Sequence, residues 1–101
     1  MGILSALFRR KKSTITDYLD RGAIILDVRT TSEYEAGAIA GCKHIPLQQL
    51  SVRLSEITNE NKLVITYCAA GVRSNTAAKI LRKNGFDAIN GGSMKDLQKR
   101  L

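Results

Sequence analysis

The chain has 101 residues, of which 44% are hydrophobic and 25% charged, a length and composition typical of one globular domain. Its net charge is +7, but four of its sixteen basic residues stand together at 9–12, and the rest is too mildly basic and too poor in aromatic residues to predict a nucleic-acid surface. The two cysteines lack the spacing of a zinc site or the density of a disulfide scaffold, which predicts a reducing, cytoplasmic location with no metal and no cofactor.

The N-terminal residues 1–12 form an apolar and basic extension to a domain predicted over 13–101. Their apolar residues fall at helical spacing before the basic run, which would suit a short amphipathic helix on an anionic membrane. A frayed terminus, or a small helix that caps the domain, is the favoured interpretation, because so few apolar residues bind a membrane weakly. The stretch is too short to span a bilayer and its charges follow it, unlike those of a secretory signal, so the mature chain is predicted to be soluble.

The first part of the domain alternates helix and strand. A short helix is predicted first, with its N-cap at Ser13, Thr14 or Thr16. Gly22 ends this helix, and the apolar run 23–26 predicts the first strand. An unbroken apolar run is typical of a strand that is covered on both faces, which favours a parallel sheet.

Further elements follow this strand. Thr31 or Ser32 caps a predicted helical turn over 33–36, and glycines then break the chain before a brief extended piece that ends at Pro46. A second helix is predicted because apolar residues keep helical spacing at Leu47, Leu50, Leu54 and Ile57.

The second part of the domain repeats the alternation of strand and helix, so the predicted fold class is α/β with a mostly parallel sheet flanked by helices. Its predicted elements are a strand over 63–67, a helix over 74–84, a strand over 86–89, a turn at Gly91 and Gly92, and a closing helix from its cap at Ser93 to Leu101.

Cys68 stands where the strand over 63–67 ends and a small-residue loop leads to a helix. Open α/β sheets bind ligands at such strand ends. Small residues at Ala69, Ala70 and Gly71 let backbone N–H groups converge on one point, and the first turn of the helix adds its own free N–H groups and its positive dipole end. The same donors would stabilise a thiolate, so Cys68 is a candidate nucleophile. The plainer alternative is a small buried hydrophobe at a strand end.

Arg73 ends this loop, one residue after Val72. Its guanidinium fork could hold an oxyanion of a substrate or stabilise the outer sulfur of a persulfide. The alternative is a surface residue at a helix N-terminus, where a positive charge is unfavourable to the dipole. The loop from Cys68 to Arg73 is therefore predicted to bind a small anion.

Four short motifs together resemble the rhodanese family, over about Ile24 to Gly92. They are IILDVR at 24–29, the pair Glu33 and Tyr34, GCKHIP at 41–46, and CAAGVRS at 68–74. The resemblance implies a three-layer α/β domain around a mostly parallel five-stranded sheet. It also implies a catalytic cysteine that takes a sulfane sulfur from a small anionic donor such as thiosulfate and passes it to a thiophilic acceptor.

On this resemblance Cys68 carries the sulfur, and the amides of the loop from Ala69 through Ala70, Gly71 and Val72 to Arg73 bind the anion. Ser74 supports the site. Asp27 and Arg29 match the family's pair at a strand end, which supports the active-site region or serves as a structural ion pair. The chain departs from the common pattern at Ala38, where many members have histidine, and after Gly92, where an aromatic residue is usual.

Two further residues invite a chemical role, and for each a structural one is favoured. His44 has no carboxylate or second ligand nearby in sequence, so it is predicted to pack at a strand end or to lie at the surface rather than to act as a base. Cys42, at a position where alanine is common in the family, is predicted to be buried filler, with a resolving thiol as the alternative.

Other functions remain open at the level of sequence. A cysteine-dependent phosphatase would use a similar loop, but related phosphatases have one residue more there, and this loop has no acid to protonate a leaving group. A non-catalytic binding module or persulfide carrier is the second alternative. The predicted acceptor is cyanide in vitro and a small or protein thiol in the cell, and the chain is predicted to be a monomer, with a weak dimer left open.

Overall fold

The structure is a computed structural model that describes residues 14–57 and 62–101. The predicted extension at 1–12 lies outside the described residues. In chain order the elements are helix α1 (Ile15–Asp20), strand β1 (Ile24–Asp27), helix α2 (Thr31–Ala36), strand β2 (Lys43–His44), two 3₁₀ helices (Leu47–Val52 and Leu54–Glu56), strand β3 (Leu63–Cys68), helix α3 (Val72–Lys83), strand β4 (Asp87–Ser93) and helix α4 (Met94–Gln98).

The described strands form one parallel sheet in the order β2-β1-β3-β4. The α/β class with a parallel sheet between helices is confirmed, although the described residues supply four strands where five were expected. Strand β3 is central and every one of its residues is buried. Successive strand residues point to opposite faces, so Cys68 packs with the cluster under α3 and Tyr67 with the cluster that includes residues of α1 and α4.

Threonines begin the two short N-terminal helices. Thr14 caps α1 in a capping box with Asp17, as one of the three predicted caps. The cap of α2 was misplaced by the sequence prediction: it is Thr30, whose hydroxyl accepts a hydrogen bond from the Glu33 backbone N–H. The Glu33 carboxylate accepts the Thr30 N–H in return, and this reciprocal pair starts the helix earlier than a cap at residue 31 or 32 would.

The apolar spacing after Pro46 produces two 3₁₀ helices rather than one α-helix. Leu47 and Leu50, like Leu54 and Ile57, stand three residues apart, and this interval fits three residues per turn as well as it fits an α-helix. The segment is held by Leu50 and Ile57, both buried in the core.

Strand β4 is longer than predicted and carries the chain through two glycines without a turn. It continues to Ser93 because Gly91 lies so close to β3 that a Cβ there would be 2.7 Å from the Thr66 carbonyl oxygen. Ser93 caps α4 as predicted, by accepting the Asp96 N–H, but the helix ends at Gln98 rather than at the last residue.

Candidate active site

Cys68 is the last residue of β3 and lies under a short loop at the carboxyl edge of the sheet. The residue is 1% exposed, whereas Ala69 and Ala70 above it face solvent. Helix α3 starts at Val72, two residues before the predicted start, because Gly71 acts as its N-cap. Gly71 has φ +96°, a left-handed conformation that glycine adopts without the strain of a Cβ. This turn brings the start of α3 back over the sulfur.

Backbone N–H groups point at the Cys68 sulfur, as the sequence predicted for this loop. The Gly71 N–H donates to Sγ at 3.0 Å and the Ser74 N–H at 3.3 Å, the latter from the first turn of α3. The Ser74 hydroxyl lies 3.3 Å from the same sulfur. These groups surround the thiol with donors that can stabilise negative charge.

Two opposing effects set the acidity of Cys68. Burial alone raises the pKa of the thiol, because the charged form loses its hydration. Hydrogen bonds from the Ser74 hydroxyl and from the N–H groups of Ser74, Ala70 and Gly71 outweigh burial, so the pKa lies below the ordinary value for cysteine. The fold thus favours the thiolate, which is the nucleophilic form of the residue.

Arg73 does not hydrogen-bond the sulfur in this structure. Its guanidinium forms a two-point ion pair with Glu33 of α2, at 2.8 Å and 3.0 Å, and about a third of each side chain is exposed. The hydrogen bonds from Arg73, with smaller contributions from Thr30, lower the Glu33 pKa to about 2. In the sequence Glu33 stands out only as part of a motif with Tyr34, because no local signal pairs two residues that are so far apart in the chain as Glu33 and Arg73.

Asn90, which the sequence analysis passed over, joins β4 to the loop. Its side-chain oxygen accepts hydrogen bonds from the Ser74 hydroxyl at 2.7 Å and from the Gly92 N–H at 2.9 Å, and its NH₂ group donates to the Gly71 carbonyl at 3.1 Å. Asn90 lies between the predicted strand over 86–89 and the predicted turn at Gly91 and Gly92, so no local signal marked it.

Asp27 and Arg29 form a buried ion pair at the end of β1, and neither residue hydrogen-bonds the Cys68 sulfur. Arg29 Nη2 lies 2.6 Å from Asp27 Oδ2 and also donates to the Gly37 carbonyl. The Tyr67 hydroxyl donates to the same Asp27 oxygen at 2.7 Å. Burial raises the Asp27 pKa, but the hydrogen bonds from Arg29 and Tyr67 lower it by more than burial raises it, so the carboxylate stays charged.

His44 and Cys42 pack against neighbours of this ion pair. The His44 ring stacks on Tyr34 with centroids 4.3 Å apart, and its Nε2 donates to the Arg29 carbonyl at 2.8 Å. Cys42 Sγ lies 3.6 Å from the Tyr67 hydroxyl, and burial raises its pKa. Both cysteines are free thiols, and they belong to different core clusters.

A small cavity lies beside Arg73. Its volume is about 80 Å³, room for several atoms, and its lining includes Val28, Thr30 and Leu47. A larger cavity of about 390 Å³ lies against β4, and its lining includes Asn90, Gly92, Ile15 and Arg100. Within 14–57 and 62–101, no group of three or more His, Cys, Asp or Glu side chains is placed to hold a metal ion. None of the helices in these ranges is both long and apolar enough to cross a membrane.

Comparison with known proteins points to one family. The sequence profile of the rhodanese-like domain matches residues 12–98. The uncharacterized protein YqhL of Bacillus subtilis is 49% identical over 69 residues, a match that covers 68% of this chain and 54% of YqhL. The chain therefore spans about half the length of that relative.

A shorter relative and a solved structure agree with this match. The thiosulfate sulfurtransferase PspE of Escherichia coli is 32% identical over 74 residues, with 71% of each chain covered. A solved structure described as a rhodanese with anions, from Escherichia coli, superposes with a TM-score of 0.68 and 31% identity, over 74% of this chain and 91% of that one.

Proposed function

This chain belongs to the rhodanese-like domain family, and we propose that it is a sulfurtransferase in which Cys68 carries a sulfane sulfur as a persulfide. The observation that carries the proposal is the hydrogen bonding of Cys68 Sγ by the N–H groups of Gly71 and Ser74. Donors that stabilise a thiolate at the start of a catalytic cycle can stabilise the anionic outer sulfur of a persulfide in the middle of it.

The proposed reaction consists of two displacements at sulfur. The Cys68 thiolate attacks the outer sulfur of thiosulfate, a new S–S bond forms, and the bond to the sulfonate sulfur breaks, so that sulfite leaves with the bonding pair. An acceptor then attacks the outer sulfur of the persulfide, and the electron pair of the broken S–S bond returns to Cys68 as thiolate. Cyanide as acceptor leaves as thiocyanate, and neither step needs an external oxidant or reductant.

The loop and Arg73 supply the anion binding that this cycle requires. We propose that Arg73 exchanges Glu33 for the incoming anionic donor, since the pair is partly exposed and the small cavity adjoins the guanidinium. The solvent-facing Ala69 and Ala70 leave the loop open to a small thiol or to the cysteine of a partner protein. The structure of a rhodanese with anions and the name of PspE support a small anionic donor.

Thiocyanate formation from thiosulfate and cyanide tests the proposal, with Cys68→Ser as the matched variant. Intact mass after thiosulfate alone should show one added sulfur on the wild type and none on the variant, and turnover should depend on Cys68. A wild type that gains sulfur without turning over would indicate a passive carrier. A wild type that does neither would contradict the proposal and call for a phosphatase assay.

A further inference from the structure

The β4 strand is irregular where it passes the reactive cysteine. Thr66 pairs with Asn90 and Cys68 pairs with Ser93, so β4 has one residue more than β3 over this stretch. Such a bulge redirects side chains locally and is common next to active sites. Gly92 at φ +88° is part of it, and Asn90, just before it, donates to the Gly71 carbonyl of the loop.

The Asn90 amide makes hydrogen bonds that fix its orientation. Its oxygen must face the Gly92 N–H, which can only donate, and its nitrogen must face the Gly71 carbonyl, which can only accept. With the bond from the Ser74 hydroxyl, three of the four bonds that the amide can form are made. A rotated amide would lose both backbone partners.

Both loop residues that Asn90 contacts are also the donors to the Cys68 sulfur. Gly71 gives its N–H to the sulfur and its carbonyl to Asn90, and Ser74 contacts the sulfur and Asn90 with the same hydroxyl. We infer that Asn90 is a positioning residue that holds Gly71, and with it the Gly71 N–H, in the geometry that activates Cys68. This inference rests on the proposed role of Cys68 as the nucleophile.

The single hydroxyl proton of Ser74 makes the role of Asn90 specific. With a neutral thiol, the Cys68 S–H donates to Ser74 Oγ, and the Ser74 hydroxyl donates to Asn90. With a thiolate, the Ser74 proton turns to the sulfur, because a charged acceptor binds it more strongly than a neutral amide oxygen does. The side-chain oxygen of Asn90 then still accepts a hydrogen bond from the Gly92 N–H. In the thiolate form Asn90 therefore acts on the loop through its bonds to Gly71 and Gly92.

Uncharged substitutions at Asn90 leave the charged groups near Cys68 unchanged. Arg73 of α3 interacts electrostatically with Cys68, and Glu33 of α2 pairs with Arg73. Substitutions at Asn90 remove neither group. A change in Cys68 acidity would therefore report on the hydrogen bonds through Ser74 and Gly71.

The test is the pH dependence of iodoacetamide alkylation, followed on the Cys68 peptide by mass spectrometry so that Cys42 does not contribute. In Asn90→Ala the midpoint should rise by about one pH unit, the size expected for the loss of one charge-assisted hydrogen bond. Asn90→Ser, an uncharged variant whose single hydroxyl cannot replace both backbone partners of the amide, should raise it in the same direction. Asn84→Ala is the matched control, because Asn84 also donates to a backbone carbonyl, on the exposed end of α3.

Circular dichroism on each variant checks that it is folded, and Asn90→Ser decides the matter if Asn90→Ala does not fold. A midpoint that stays with the Asn84→Ala control, or that falls below the wild type, would overturn the inference. Alkylation requires no sulfur transfer. An expected shift in a protein that forms no persulfide would therefore refute the proposed function and leave the positioning role of Asn90 standing.

Discussion

The molecule holds two arginine–carboxylate pairs near the carboxyl edge of its sheet, and their surroundings differ. In the β1 pair, Asp27 is 0% and Arg29 8% exposed, and Tyr67 and a backbone carbonyl complete their hydrogen bonds. In the loop pair, Glu33 and Arg73 are 34% and 35% exposed and have bidentate geometry. The chemistry of the two pairs is the same, but only the second can separate into water.

The difference in exposure gives Arg29 and Arg73 different roles. Breaking a buried pair leaves a charge without hydration, so we expect the β1 pair to stabilise the fold at the end of that strand. A partly exposed pair contributes little to stability and can exchange one partner for another anion. The loop pair is therefore suited to binding an anionic substrate. Separate substitutions in the two pairs should have different effects on stability and on catalysis.

The largest effect is expected from Arg29→Ala. The variant leaves the Asp27 carboxylate buried with only Tyr67 and a backbone N–H as donors, which should cost about 3–5 kcal/mol of the free energy of unfolding. Urea unfolding measures this cost. Arg53→Ala, which breaks the surface pair with Glu56, is the control and should change little. A loss in Arg29→Ala no larger than in the control would remove the contrast.

Arg73→Gln should affect catalysis more than stability. If Arg73 binds the anionic donor, kcat/KM for thiosulfate should fall about ten- to hundredfold, the equivalent of one lost charged hydrogen bond. The free energy of unfolding should change by less than about 1 kcal/mol. Steady-state kinetics and urea unfolding on the same preparation give both numbers. Unchanged kcat/KM together with a large loss of stability would make Arg73 a structural residue.

Ser74→Ala should move the acidic limb of the pH–rate profile. The lowered Cys68 pKa keeps the thiolate present below the ordinary thiol range, and activity should fall as pH falls through that pKa. Without the hydroxyl donor the Cys68 pKa should rise, so the limb should shift to higher pH. Thr76→Ala, on the exposed side of the same helix, is the control and should leave the limb in place.

Glu33→Gln should give the smallest change, and it is visible only in acid. Hydrogen bonds from Arg73 first, and then from Thr30, hold the Glu33 pKa at about 2 against an ordinary 4.5, so the unfolded chain binds more protons between these values. The resulting stabilisation is complete above pH 4.5 and is lost as pH falls toward 2. Thermal unfolding across this range should show a slope in the wild type that is shallower in the variant. Equal slopes would mean that the pair does not persist in solution.

Glu33→Gln should also change the KM for thiosulfate. The side-chain oxygen of glutamine can still accept the Thr30 N–H of the capping box. The variant removes only the negative charge that competes with the donor for Arg73. The KM for thiosulfate should fall about two- to fivefold, the range of an exposed ion pair. A higher KM in the variant would show that Glu33 assists donor binding.

The sequence by itself determined the features that depend on neighbours in the chain. The apolar runs located β1 and β3, Ser93 identified the start of α4, and the small residues after Cys68 predicted the amide donors that the structure contains. These signals work because strand burial, helix capping and loop flexibility are decided within a few residues.

Only the tertiary structure decided which side chains meet across the sheet. Glu33 reaches Arg73, Tyr67 reaches Asp27, and Asn90 reaches Ser74, each over a sequence separation of 16 residues or more. The continuation of β4 past Gly91 likewise depends on the nearby backbone of β3. Such contacts follow from strand order and packing rather than local propensity, which is why the amide donors of the loop after Cys68 were predictable and the residues that hold the loop were not.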